Sequence, residues 1–177
     1  MADINVVQRM TRQPGAAGDA PEPIWDIIEL LFFAYRDFVG DPDEVLAEIG
    51  FGRAHHRVLH FVNRNQGMKV ADLLDILRIT KQSLGRVLKQ LIDQGYVVQK
   101  EGAQDRRQRL LYVTEKGRRL AMQLADLQTA RIARALAELG PGGHEAARRF
   151  LAAMIEPAAR DGVLRFIERA NHARRRA

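Results

Sequence analysis

The chain reads as a mainly α-helical fold with one small β-hairpin, an α+β arrangement, and two observations carry that reading. Apolar residues recur at the i, i+3, i+4 spacing of an amphipathic helix along most of its length. The period changes only between Gly95 and Thr114, where two runs rich in β-branched and aromatic residues flank a charged loop. A length of 177 residues suits one domain, or one domain with an oligomerisation extension.

Residues 1–20 show no sustained apolar period and are read as a flexible arm. Pro21 and Pro23 then lead into a first helix, where Trp25, Ile28, Leu31, Phe32 and Tyr35 recur at helical spacing. After Gly40 the run "DPDEV" predicts a restart of the chain. "GRAHHRVLHFVNRN" predicts a helix with Val58, Leu59 and Val62 on one side, ended by Gly67. "KVADLLDIL" predicts a short helix with Val70, Leu73, Leu74 and Leu77 inward.

Thr80 is a good N-cap for a longer helix over 80–94, whose inward stripe is Leu84, Val87, Leu88, Leu91 and Ile92. Gly95 closes it. "YVVQK" and "RLLYV" are the two strands, with Glu101 to Gln108 as the loop between them. Thr114, with Glu115 and Gly117, starts a helix with Leu120, Leu124 and Leu127 inward, which "GPGG" stops after Leu139. Residues 144–173 are again helical, with a kink or fresh start at Pro157. A two-strand hairpin is unstable alone and must pack on the helices beside it.

Composition narrows the function. The chain has no cysteine, which excludes disulfides, Cys-ligated zinc, iron–sulfur clusters and thiol chemistry. The most apolar run, "IIELLFFAY", contains Glu29 and is too short to cross a bilayer. The N-terminus lacks the pattern of a secretory leader, so a cytoplasmic location is the expectation. No Gly-rich phosphate loop is present, and nothing marks Ser83, the only serine, as activated; an enzyme is not expected. No cofactor is expected either.

The charge is concentrated. Residues 78–119 hold eleven Lys or Arg against four acids, a net +7, so the rest of the chain sums to −1 within a total of +6. A basic block inside a structured region is the footprint of a polyanion site. The helices around "RIT" form a helix-turn-helix, and the second can lie in a DNA major groove. Its outward side offers Thr80, Lys81, Gln82, Ser83, Arg86, Lys89 and Gln90. Gln and Arg read base edges; Ser, Thr and Lys mostly hold phosphate. Gly85 is costly inside that helix, and close approach of a phosphate or of a neighbouring helix would account for it. The hairpin tip carries Arg106, Arg107 and Arg109 and is suited to the narrow, negative minor groove, as a wing. Asp105 is placed to pair with Arg107 and hold it extended.

From "VADLLDILRITKQS" to "LLYVTEKG" the chain resembles the winged helix-turn-helix of MarR-type transcriptional regulators. The family wing runs Asp-x-Arg, then a strand, then Leu-Thr-x-x-Gly. The matching residues are Asp105, Arg107, Val113, Thr114 and Gly117, with Val113 where the family usually has Leu. Arg86, Val87, Leu88 and Gly95 match the end of the family's recognition helix. The resemblance spans roughly residues 51–120.

It implies a homodimer on double-stranded DNA and a palindromic operator, and the expected function is a repressor whose affinity answers to a small effector. The recognition helix 80–94 would lie in the major groove and the wing 99–109 toward the minor groove. The implied division is a flexible arm at 1–20, an N-terminal helical part of the dimerisation region at 21–50, the winged helix-turn-helix at 51–117 and C-terminal dimerisation helices at 118–177. The residues agree, since the first and last helices are more apolar than so small a DNA-binding unit can bury. In the family the helix bearing His55, His56 and His60 borders an effector cleft, which Trp25, Phe32, Phe33, Tyr35, His56 and His60 would line; the alternative is an aromatic core with an interface histidine cluster. His56 and His60 have metal-ligand spacing, but no third ligand stands nearby and no metal is expected. The rival functions are an effector-independent DNA binder and a helical adaptor that no longer binds DNA.

Overall fold

The structure, a computed structural model, describes residues 22–102, 105 and 107–176. Helices α1 (Trp25–Ala47) and α2 (Arg53–Arg64) come first. They are followed by strand β1 (Met68–Lys69), α3 (Val70–Leu77) and α4 (Lys81–Asp93). Strands β2 (Val97–Glu101) and β3 (Arg109–Val113) precede three more helices, α5 (Glu115–Leu139), α6 (Gly143–Met154) and α7 (Pro157–Arg176). The expected arm at 1–20 lies outside the described residues.

Two expectations need correction. The chain does not restart at "DPDEV", because α1 runs unbroken through Gly40 and Pro42. Pro42 has no N–H, so the carbonyl of Phe38 loses its helical partner. The Gln128 side chain of α5 supplies the donor, 3.5 Å from the Phe38 oxygen. Arg131, one turn further along α5, grips Asp41 through two contacts of 3.0 and 2.8 Å. Val39, Pro42 and Leu46 are buried, so packing overrides the local signal.

The hairpin is also not a lone pair of strands. β1 joins it, with Met68 opposite Leu111 and Lys69 opposite Leu110, giving an antiparallel sheet of order β1-β3-β2. A strand of two residues carries no readable period.

Elsewhere local chemistry explains the element ends. The Thr80 hydroxyl oxygen accepts from the Ser83 N–H at 3.1 Å and caps α4. At its other end, Tyr96 N–H reaches the Leu91 carbonyl (2.8 Å) and Gly95 N–H that of Ile92 (2.9 Å). With Gly95 at φ +74°, that is a Schellman close. Thr114 caps α5 by accepting from Gly117 N–H, while its hydroxyl donates to the Gly95 carbonyl at 2.7 Å. Gly117 sits against the Tyr96 carbonyl, where any Cβ would overlap the oxygen. The threonine and glycine of the wing-end motif thus weld α5 to the end of α4. Pro157 makes a fresh start rather than a kink, and Arg160 donates to the Ala153 and Ile155 carbonyls at the end of α6 (2.8 and 3.2 Å).

One core joins α2, α3, α4, the sheet and the first turns of α5, with Leu46 and Phe51 closing one side. Leu59, Leu73, Leu84, Leu91, Leu111 and Leu124 are fully buried in it. Truncating such a leucine to alanine costs about 2–5 kcal/mol. The first half of α1 and most of α6 and α7 lie outside that core.

Candidate nucleic-acid interface

The packing of α4 decides which side chains are left over for a partner. Leu84, Val87, Leu88 and Leu91 face the core. Lys81, Gln82 and Arg86 point away and have no side-chain hydrogen bond or ion pair among the described residues. Lys89 is exposed but pairs with Asp93 one turn on, at 2.6 Å. Thr80 and Ser83 engage each other, the threonine hydroxyl donating to Ser83 Oγ at 2.9 Å. Their first role is to cap α4 and leave its positive N-terminal end presented beside Lys81.

Gln90 falls out of the outward set. Its Oε1 lies 2.7 Å from His55 Nε2 of α2. The His55 Nδ1 accepts from the Gly52 N–H at 3.1 Å, and its ring stacks on Phe51 at 4.4 Å. Periodicity places Gln90 on the polar face; only the fold reveals that its oxygen is taken.

The turn before α4 holds a second residue that pattern reasoning passed over. Arg78 caps α3 at φ 50°, ψ 44°, the one non-glycine residue with positive φ among the described residues. That backbone costs about 1–2 kcal/mol for a residue with a Cβ. It leaves an exposed guanidinium in the tight turn of the helix-turn-helix. No side-chain rule identifies this position; its signal was a basic residue at the helix end where glycine is usual.

The wing is closed by its aspartate in an unexpected way. Asp105 Oδ1 accepts from the backbone N–H of Arg107 at 2.9 Å, not from its guanidinium. Oδ2 takes the Gln108 side-chain amide at 3.3 Å, and the Asp105 carbonyl takes Gln108 N–H at 3.0 Å. An aspartate two residues back from the amide it holds is an Asx turn. It rigidifies the tip and leaves the Arg107 guanidinium without an ion-pair partner among the described residues. Arg109 is held by Glu101 across the hairpin at 2.9 Å, and Arg106 lies outside the described residues. At the base, Lys116 donates to the Gln94 carbonyl at 3.0 Å and sits 4.2 Å over the Tyr96 ring.

The residues expected around an effector are not enclosed together. Trp25 and Phe32 are 59% and 64% exposed on α1. His56 is half-buried, and burial pushes its imidazole below its ordinary value. His60 is pushed down to about 4 by loss of hydration, with the nearby His56 and Arg64 adding to it. These helices are linked by Arg57 donating to the Tyr35 hydroxyl at 3.1 Å and by Arg53 donating to Asp43 at 2.6 Å. A groove of about 350 Å³ forms elsewhere, between α5, α6 and α7, lined by Ile132, Leu136, Leu151, Ile155 and Ile167 with Arg148 at its edge.

Comparison with known proteins places this architecture. Residues 49–108 match the family model described as "MarR family". The HTH-type transcriptional regulator PetP of Rhodobacter capsulatus is 47% identical over 133 residues, which cover 75% of this chain and 80% of that protein. The chain belongs to the MarR family. Among solved structures, the transcriptional regulator SlyA shares the fold at a TM-score of 0.64 and 20% identity, over 77% of this chain and 96% of that one. A mutant MarR from E. coli, solved with operator DNA, does so at 0.57 and 18%, over 74% and 96%. The MarR-type winged helix-turn-helix is therefore the fold here, with α3 and α4 as its helix pair and β2–β3 as its wing.

Proposed function

We propose that this MarR-family chain is a homodimeric, sequence-specific DNA-binding transcriptional repressor acting on a palindromic operator. The observation that carries the reading is the set of uncompensated cations on one apparatus: Lys81 and Arg86 on α4, and Arg107 on the preorganised wing. Helix α4, with its caps at 80 and 94, enters the major groove, and the wing over 99–109 reaches the minor groove. Arg86 and Gln82 read base edges, while Thr80, Lys81, Ser83 and Lys89 hold phosphate. The kinship with PetP, named an HTH-type transcriptional regulator, supports the same assignment.

Dimerisation follows from what the single chain leaves bare. Trp25, Ile28, Leu31, Phe32 and Phe33 are all exposed on α1, a stretch whose apolar surface is broken only by Asp26 and Glu29. Helices of that kind are buried in their working state. Phe150, Leu151, Met154 and Ile167 are exposed on α6 and α7, beside the apolar groove. We take residues 21–50 and 118–177 as the dimerisation region around a DNA-binding unit at 51–117. A small effector bound beside Trp25, Phe32, His56 and His60 would shift the spacing of the two recognition helices and so alter affinity.

Selection from sheared genomic DNA at moderate salt, with sequencing of the bound fragments, tests the whole. An enriched palindrome with half-sites about one helical turn apart is expected. Binding without any enriched motif would refute sequence-specific regulation.

A further inference from the structure

Gly85 occupies the middle of α4, yet neither of the usual intramolecular reasons for a helical glycine applies to it. Its backbone is not in the left-handed region. A Cβ built on it meets nothing among the described residues within 4 Å, so none of the described neighbouring helices needs the space. Glycine is nonetheless the worst helix former after proline. Gly85 is exposed, and no described residue fills the space above it, which leaves that space open to a bound partner.

Position in the helix indicates what that is. Lys81 stands one turn before Gly85 and Lys89 one turn after, so the three form a single row at i, i+4 and i+8. Gly85 also lies three residues before the buried Leu88, which sets the row at the rim of the exposed face. Gln82 and Arg86 stand at the centre of that face. A bare stretch of helix between two ammonium groups, at the rim rather than the centre, suits a sugar–phosphate strand and not a base edge.

We propose that Gly85 is the point of closest approach between α4 and the DNA backbone, its missing side chain letting one strand seat directly on the helix between Lys81 and Lys89. The inference rests on the DNA-binding reading above. It makes a paired prediction with opposite signs, which a merely structural glycine would not produce. In the full chain Gly85→Ala should raise the melting temperature by roughly 2–4 °C. The same variant should weaken binding about tenfold or more, through overlap with the strand. Gly85→Leu should weaken it further.

The probes are a duplex carrying the motif enriched from genomic DNA and a random-sequence duplex of equal length. Equal loss on both is expected, since the backbone carries no sequence. Loss on the enriched duplex alone would move the contact to a base edge and overturn the assignment. Unchanged or tighter binding by Gly85→Ala, or a lower melting temperature, would also overturn it while leaving the DNA-binding reading intact. Failure of the unsubstituted chain to bind either duplex would remove both.

Discussion

His55 on α2 holds Gln90 on α4, with Nε2 and Oε1 2.7 Å apart, and the ring can do so in only one tautomer. Nδ1 accepts from the Gly52 N–H, so Nε2 carries the proton and donates to the Gln90 oxygen. One side chain therefore ties the entrance of α2 to the last turn of α4. His55→Phe keeps the stack on Phe51 but leaves the Gly52 amide and the Gln90 oxygen without their partner. We expect it to cost about 1–3 kcal/mol of stability. A double-mutant cycle with Gln90→Met, followed by urea unfolding, should return a coupling of about 1 kcal/mol. A coupling near zero would show that the two residues act independently.

The cations of the wing should not be equivalent. Arg107 is unpaired among the described residues, whereas Arg109 is held by Glu101. Arg107→Ala should weaken DNA binding and lower the salt slope by about one. Arg109→Ala should do less, because its charge is already partly spent on Glu101. Glu101→Gln should tighten binding by releasing it. Affinities measured over a salt series decide the matter, and a larger effect at Arg109 than at Arg107 would reverse this assignment.

Asp105 acts on the same contact from behind. It shapes the tip through the Arg107 amide and through Gln108, and its exposed position gives it little part in global stability. Asp105→Ala should therefore bring DNA affinity down toward that of Arg107→Ala. Stability should stay within roughly 0.5 kcal/mol of the parent. Asp105→Asn retains the accepting Oδ1 and should restore most of the affinity. If asparagine and alanine behaved alike, the carboxylate charge rather than the turn would be its contribution.

These cases show where sequence was enough and where it was not. Thr80, Gly95, Thr114 and Pro157 act on bonds within their own turn, so helix ends could be read from their residue types. The continuity of α1 through Pro42 could not, because Gln128 rescues the orphaned carbonyl from 90 positions away. β1 was invisible for the same reason; its two residues are a strand only because Leu110 and Leu111 lie beside them. In the candidate interface, periodicity sorted α4 into core and outward faces correctly. It could not see that Gln90 and Lys89 were engaged by His55 and Asp93, or that Asp105 would choose a backbone amide over a guanidinium.

The histidines of α2 make stability depend on pH. His60 is exposed on α2, yet loss of hydration, with His56 and Arg64 beside it, pushes it down to about 4 from an ordinary 6.5. The unfolded chain takes up a proton near 6.5, while the folded chain stays neutral there until about 4. Between those values the unfolded state binds more protons, so stability must fall as pH falls. Below about 4 both states are protonated and the loss stops growing. His56, lowered mainly by burial, adds in the same direction. Urea midpoints should decline from pH 7 toward pH 4, and His60→Gln should flatten that decline. An unchanged slope in His60→Gln would mean that His60 titrates alike in both states and that other groups set the acid limit.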